Sequence, residues 1–297
     1  MVLRSRPAEA PPLPDMVARE LARMTYPLAG RPVHRIGFGA MQLPRLRDDR
    51  PAAVALLRRA VELGVDHVDT AEFYGFGFVN DLLREAIRPE DGVTVVSKVG
   101  ATPDPGGPRP MRLAQRPGEL RADVERNLAS LGLDRIPVVN LRRTDHGPTP
   151  VHAEGDQAVD LDDQLAEMVA LRDEGKIGGI GLSCVTADGL RRALPAGIAC
   201  VQNAYSLVYR DDEGVLDLCA EQGIAFVPFF PLGGALPFLP NVADQPEVIA
   251  EAAARGCTPA QYGLAWLLHR APNVLLIPGT ASQEHLAANL AVAAIRS

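Results

Sequence analysis

The chain has 297 residues, 47% of them hydrophobic and 23% charged, with a formal net charge of −7; this is the composition of an ordinary globular protein with room for one large domain. No run of lysine or arginine stands out, which argues against a nucleic acid or an anionic membrane surface as partner, and no apolar stretch reaches the length of a membrane span. The four cysteines, Cys184, Cys200, Cys219 and Cys257, lack metal-ligand spacing in a chain too long to need a disulfide scaffold, so a reducing, cytoplasmic setting is expected.

Residues 1–24 carry arginines and the patch Pro11-Pro12-Leu13-Pro14 without an apolar signal core. They are read as a flexible extension with a short surface helix over 16–23. From residue 33 onward, short apolar, β-branched runs alternate with helical patterns. In chain order the reading is strand 34–38, helix 52–63, strand 67–70, helix 79–87, strand 93–98, helix 117–131, strand 136–141 and helix 162–174. It continues with strand 179–183, helix 187–194, strand 200–203, helix 214–222, strand 225–228, helices 246–255 and 258–269, strand 274–277 and helix 282–294. Most strand runs are continuously apolar, as strands covered on both faces are. Gly64, Gly132, Gly175, Gly223 and Gly256 follow helical patterns, where the left-handed conformation closes a helix. Thr258-Pro259 reads as an N-cap with proline at the first helical position.

Eight strand–helix units over roughly 260 residues point to a closed (β/α)8 TIM barrel, a single domain over 25–297. Gly37-Phe38-Gly39-Ala40-Met41 lacks the glycine spacing of a doubly wound dinucleotide fold. The long irregular stretches 101–116, 144–161 and 233–244 all follow strands and so belong to the catalytic rim.

The stretch Asp69-Thr70-Ala71-Glu72-Phe73-Tyr74-Gly75 ends the second strand, Lys98 the third and Arg142 the fourth. In a barrel such positions converge on the mouth. A phenol with an ordinary pKa of about 10 becomes a better proton donor when a neighbouring cation stabilises its phenolate. A carboxylate holds that cation charged. The bland alternative is a structural Asp69–Lys98 ion pair, a rim aromatic at Tyr74, and an Arg142 that merely pairs with Asp145. His67 is expected to face the barrel exterior and His34 to start the first strand. His146 and His152 lie in a rim loop with Asp145, Glu154 and Asp156, without regular metal spacing.

Several stretches resemble the aldo-keto reductase superfamily: Ile36-Gly-Phe-Gly-Ala-Met41, the Asp69–Gly75 run, Val201-Gln-Asn203, Pro228-Phe-Phe-Pro-Leu-Gly233 and residues 277–289. The wording of 39–43, 138–142 and 227–234 is similar to the bacterial pyridoxal reductase (pyridoxine 4-dehydrogenase) branch. The resemblance implies hydride transfer from NADPH to an aldehyde or ketone. It makes Tyr74 the general acid, Lys98 the group that lowers its pKa and Asp69 the group that orients Lys98. Arg142 stands where the family usually has histidine; a guanidinium cannot act as an acid near neutrality but can stabilise developing negative charge.

The same resemblance implies a cofactor set. Gly39 and Met41 follow the first strand; Ser183 and Gln202 meet the nicotinamide carboxamide; Phe229 stacks on the ring. Leu232 and Gly234 pass over the pyrophosphate. Thr280, Ser282 and His285 meet the adenosine phosphate, and Asn289 the adenine. Cys184 replaces a common asparagine. The lysine and arginine of strongly NADPH-selective relatives are replaced by Gly279 and His285, so weaker discrimination against NADH is expected. Phe73, Phe76, Phe78, Met111 and Tyr205 are candidates for an apolar pocket wall. The chain ends soon after the last helix, so an open pocket with weak substrate selectivity is expected, in a monomer or weak homo-oligomer. The rival readings are a tailoring ketoreductase of the same type, a slow NADPH-binding regulatory subunit and a metal-dependent hydrolase.

Overall fold

The computed structural model of the chain describes residues 12–144, 146–148, 151, 153–234 and 236–296. Helix α1 (Asp15–Arg23) opens it, followed by β1 (Thr25–Leu28) and β2 (Arg31–His34), which pair antiparallel. Their two-residue turn, Ala29-Gly30, has φ of 50° and 79°, the doubly left-handed turn whose twist suits a hairpin. Of the stretch read as a flexible extension, residues 15–23 are therefore helical. Val17 and Leu21 are buried, and the helix packs on the barrel near β2 and residues 291–294. Residues 1–11 lie outside the described residues.

The barrel strands follow. They are β3 (Phe38–Gly39), β4 (His67–Asp69) and β5 (Thr94–Val99); β6 (Ala101–Pro103) and β7 (Met111–Leu113) form a separate antiparallel ribbon on the rim. Then come β8 (Ile136–Arg142), β9 (Ile177–Ser183), β10 (Ile198–Gln202) and β11 (Ala225–Phe226). Helices α2 (Arg50–Glu62), α3 (Phe78–Ala86), α4 (Pro117–Leu131), α5 (Leu161–Asp173), α6 (Ala187–Ala193) and α7 (Glu213–Glu221) connect them. Helices α8 (Pro246–Ala254), α9 (Pro259–Arg270) and α10 (Gln283–Leu290) complete the outer ring.

The sheet runs β11-β10-β9-β8-β5-β4-β3, all parallel. The expected eighth strand closes it through isolated bridges: Val274 meets Phe226, Leu276 meets Ile36, and Gly279 meets Gly39. Pro272 and Pro278 flank that segment and cannot donate to a ladder, which keeps the closure short. The first strand needs correction. His34 ends the hairpin, and the barrel pairing begins at Ile36.

Strand parity sorts the two faces. Val68, Val95, Val139, Leu141, Ile180, Leu182 and Val201 point outward into the apolar layer shared with the helices. Val96, Val138, Cys200, Ala225 and Leu275 fill the lumen, and Leu28 and Val33 of the hairpin plug it from below. Stepping two residues up from Val96, Val138 and Cys200 reaches Lys98, Asn140 and Gln202, so the lumen changes from apolar to polar towards the mouth. The same parity corrects His67. It shares a face with Asp69, is 2% exposed and lies against Gly37, where an added Cβ would meet its ring at 2.3 Å; it points inward.

Candidate active site

At the top of the lumen the Lys98 Nζ donates to Asp69 Oδ1 at 2.5 Å and to the Thr70 carbonyl at 2.9 Å. Both side chains are about 6% exposed. The ammonium lies 5.0 Å from the centroid of the Tyr74 ring. Desolvation draws the pKa of the lysine down, but Asp69 and Tyr74 outweigh it and the balance lies upward; Lys98 is charged at neutral pH. Burial pushes the Tyr74 phenol up from its ordinary value, Lys98 and Arg142 pull against that push, and Asp69 adds to it. The net direction is upward. The sequence reading expected Lys98 to bring the phenol below its ordinary value; Lys98 does pull in that direction, but burial outweighs it. The proton stays on Tyr74 at neutral pH.

Arg142 ends β8 directly across from Ser183. It is partly exposed, and among the described residues its guanidinium has no hydrogen-bonding or ion-pair partner. Its backbone is fixed instead. The Arg142 carbonyl accepts from Gln115 Nε2 at 3.0 Å, Gln115 also donates to the Gly100 carbonyl at 2.5 Å, and Gln164 Nε2 donates to Gln115 Oε1 at 2.9 Å. Gly100, with φ of 97°, leaves the space for this approach: an added Cβ would stand 2.5 Å from the Arg142 carbonyl oxygen. Asp145, the expected partner of Arg142, lies outside the described residues.

The residues named for a cofactor lie along successive strand ends, from β9 and β10 past β11 and the eighth strand to β3. Ser183 and Gln202 are neighbours across β9 and β10. Gln202 Nε2 donates to Asp69 Oδ2 at 2.8 Å, which ties it to the ion pair. Cys184 follows with φ of 57°, and Asn203 clamps the next residue, accepting from Val185 N at 3.1 Å and donating to its carbonyl at 2.8 Å. Phe229 is partly exposed, edge-on to Phe230 at 5.0 Å. Leu232 packs near Gly263, while Gly233 and Gly234 are both left-handed, with φ of 64° and 65°, and their N–H groups donate to the Phe230 and Leu239 carbonyls at 2.9 and 3.3 Å, which fixes the loop.

Gly39 and Gly279 face each other so closely that a Cβ on Gly279 would lie 2.7 Å from the Gly39 carbonyl oxygen; packing against the first strand gives this glycine a reason of its own. Met41 is exposed on the rim. Ser282 caps α10, its Oγ accepting from His285 N at 3.4 Å, and Thr280 Oγ1 accepts from Ser282 N at 3.0 Å. His285 is exposed and Asn289 half-buried. The N-terminus of α10, capped by Ser282 beside the close Gly39–Gly279 approach, suits a dinucleotide phosphate.

Two candidates for the pocket wall move. Tyr205 is 1% exposed, stacked on Trp266 and edge-on to Phe226, so it belongs to the core. Phe78 lies beneath the guanidinium groups of Arg47 and Arg50. Phe73 sits edge-on to Tyr74 at 5.1 Å, and Phe76 is exposed with φ of 57°. Met111 is partly buried on β7. His146 Nε2 is 2.6 Å from Asp212 Oδ1, and among the described residues no three His, Cys, Asp or Glu side chains are grouped to hold a metal ion.

Sequence reasoning missed the polar layer behind the mouth, built on Thr70, Asn80, Ser97 and Asn127, all buried. A signal was present: Leu120, Val124, Asn127 and Leu131 share one buried helical stripe, so an asparagine sits where the period calls for an apolar side chain.

With that geometry in place, comparison with known proteins gives one direction. The aldo/keto reductase family model matches residues 35–296. The chain is 42% identical over 281 residues to a pyridoxine 4-dehydrogenase of Escherichia coli, covering 90% of this chain and 92% of that protein. It is 34% identical to an uncharacterized oxidoreductase of Schizosaccharomyces pombe, covering 89% and 83%. A solved aldo-keto reductase from Klebsiella pneumoniae in complex with NADPH superposes with a TM-score of 0.74 at 28% identity, covering 91% of this chain and 89% of that one.

Proposed function

Because this chain belongs to the aldo/keto reductase family, we propose that it reduces an aldehyde, with pyridoxal as substrate and NADPH as cofactor, in the cytoplasm. The observation that carries the reading is the buried Asp69–Lys98 pair facing a protonated Tyr74 at the mouth. The pyridoxine 4-dehydrogenase relative and the NADPH-bound neighbour support the choice of substrate and cofactor.

A bound nicotinamide supplies the hydride to the carbonyl carbon. As the carbonyl oxygen gains charge, Tyr74 gives it the phenolic proton, and an alcohol results. The phenolate left behind faces Lys98, whose charge Asp69 maintains. Arg142, a cation without a partner among the described residues, stabilises negative charge on the carbonyl oxygen or on an electron-rich ring substituent beside it. Ser183 and Gln202 orient the nicotinamide carboxamide, and orientation supplies much of the rate. Phe229 would cover the ring, Leu232 and Gly234 would lie over the pyrophosphate, and Gly39, bridged to Gly279, and Met41 would bound the site at the first strand. Thr280, Ser282 and His285 hold the adenosine phosphate, with Asn289 at the adenine. His285 alone is a weak discriminator of a 2′-phosphate, so NADH should also serve.

The test follows NADPH oxidation with pyridoxal and with a panel of ketones, for the parent and for Tyr74→Phe. The variant should bind NADPH as the parent does and lose about a hundredfold or more in kcat. Full activity in Tyr74→Phe would remove the general acid from this scheme. A preference for bulky ketones over pyridoxal would move the substrate to the tailoring class.

A further inference from the structure

The outward-facing neighbours of the three site residues meet in one buried polar cluster. Thr70 follows Asp69, Ser97 precedes Lys98, and Glu72 lies two residues before Tyr74. Asn80 of α3, fully buried, joins them. Its Oδ1 accepts from Thr70 Oγ1 at 2.8 Å. Its Nδ2 donates to Glu72 Oε2 at 2.5 Å, and reaches Asn127 Oδ1 at 3.2 Å and Ser130 Oγ at 3.0 Å. Ser97 Oγ donates to the same Asn127 oxygen at 2.5 Å, and Ser130 Oγ to the same Glu72 oxygen at 2.7 Å.

Stability alone does not call for this arrangement. The buried face of α3 is otherwise Val79, Leu82, Leu83 and Ala86, and an apolar side chain would fill it without the desolvation cost of an amide. What the amide adds is direction: its bonds reach the segments holding Asp69 and Tyr74 and, through Asn127, the one holding Lys98. The segment after Tyr74 needs such an anchor, because Gly75, Phe76 and Gly77 are all left-handed, with φ of 64°, 57° and 82°.

We propose that Asn80 is a positioning residue that sets the mutual placement of Asp69, Lys98 and Tyr74, and so governs turnover and not the binding of cofactor or substrate. This rests on the roles given above to Tyr74 and Lys98. Turnover is therefore read with para-nitrobenzaldehyde, a generic aldehyde, so that it does not depend on pyridoxal. NADPH affinity is read separately by fluorescence titration, and stability by thermal melting. Asn80→Ala should lower kcat about tenfold or more, with KM and the NADPH Kd within about twofold of the parent. Asn80→Asp should behave alike, since it sets a carboxylate against Glu72. Adding Glu72→Gln should return a donor–acceptor pair and recover much of kcat, which a merely structural role does not predict.

A variant that melts lower but keeps kcat overturns the inference, as does a folded double variant without recovery. If Asn80→Ala does not fold, Thr70→Ala and Ser97→Ala decide in its place. Each removes one hydroxyl; loss of kcat with NADPH affinity intact supports the proposal, and unchanged kcat overturns it. An active parent with indifferent variants sinks this inference alone. A parent that binds NADPH yet reduces no aldehyde sinks the proposed function and this inference together.

Discussion

Two carboxylates mark the two ends of β4, and their surroundings differ in kind. Asp66 lies at the closed end. It accepts the His34 backbone N–H at 3.0 Å on both oxygens, His34 Nδ1 is 3.0 Å away and His67 Nδ1 3.5 Å. Beneath it the hairpin seals the lumen. Asp69 lies at the open end, against a lysine, a glutamine and, beyond the lysine, a phenol. Each is a partly or wholly buried acid with basic partners, so an ion pair by itself does not mark a catalytic site. The difference is what stands next to it: a plug at one end, and at the other a mouth with an arginine that no described residue satisfies.

The comparison breaks most sharply at Lys98. Lys98→Met should abolish measurable turnover and also strand the buried Asp69 charge, costing about 3–5 kcal/mol of stability, to be measured by denaturant unfolding. Tyr74→Phe should lose about a hundredfold or more in kcat while unfolding like the parent. Adding Asp69→Asn to Lys98→Met should recover stability but no activity. Recovery of activity would mean that the pair at the mouth is as structural as the one below.

Arg142 gives a smaller effect. Arg142→Leu should lower kcat/KM for pyridoxal about a hundredfold and cost a neutral aldehyde less. Its melting temperature should match that of the parent, because the guanidinium makes no hydrogen bond to a described residue. Equal losses on both aldehydes would assign Arg142 to the carbonyl oxygen and not to a ring substituent.

The two ends were also unequally legible in the sequence. The mouth was readable because strand parity and parallel order bring Asp69, Lys98 and Arg142 to one rim once the strands are found. The plug was not. Pro27 and Pro32 interrupt the strand pattern, and Ala29 holds a left-handed position that glycine or asparagine normally announces. The eighth strand was visible as an apolar run, but only bridges show how it closes the barrel. His67 was misread because a residue beside an acid at a strand start resembles a surface pair until parity with Asp69 is applied. Gln115 and Asn80 escaped for another reason. Each is one polar residue in a loop or helix, and its partners lie in other segments of the chain, so nothing local distinguishes it from a solvated side chain.

The smallest expected effect tests the closed end by pH. The hydrogen bond that the His34 ring donates to Asp66 raises the His34 pKa, with a smaller push from the Gly64 carbonyl, against burial, which lowers it. A raised histidine contributes stability that is fully present below its unfolded pKa of about 6.5 and is lost as pH rises through the folded value. Burial pushes the Asp66 carboxyl up, but the bonds from His34 and the nearby His67 ring outweigh it and hold the group well below the ordinary range. That contribution is present above the unfolded value of about 4 and is lost as pH falls through the folded one. The plug should therefore be held most firmly between about pH 4 and 6.5, with unfolding free energy declining on both sides. Asp66→Asn removes the Asp66 titration and the main cause of the His34 shift, leaving only the Gly64 carbonyl bond, and should flatten most of this part of the profile, with kcat for the best aldehyde unchanged. A flattened profile accompanied by lost kcat would show that the two ends of β4 are coupled, and that the plug does more than seal the lumen.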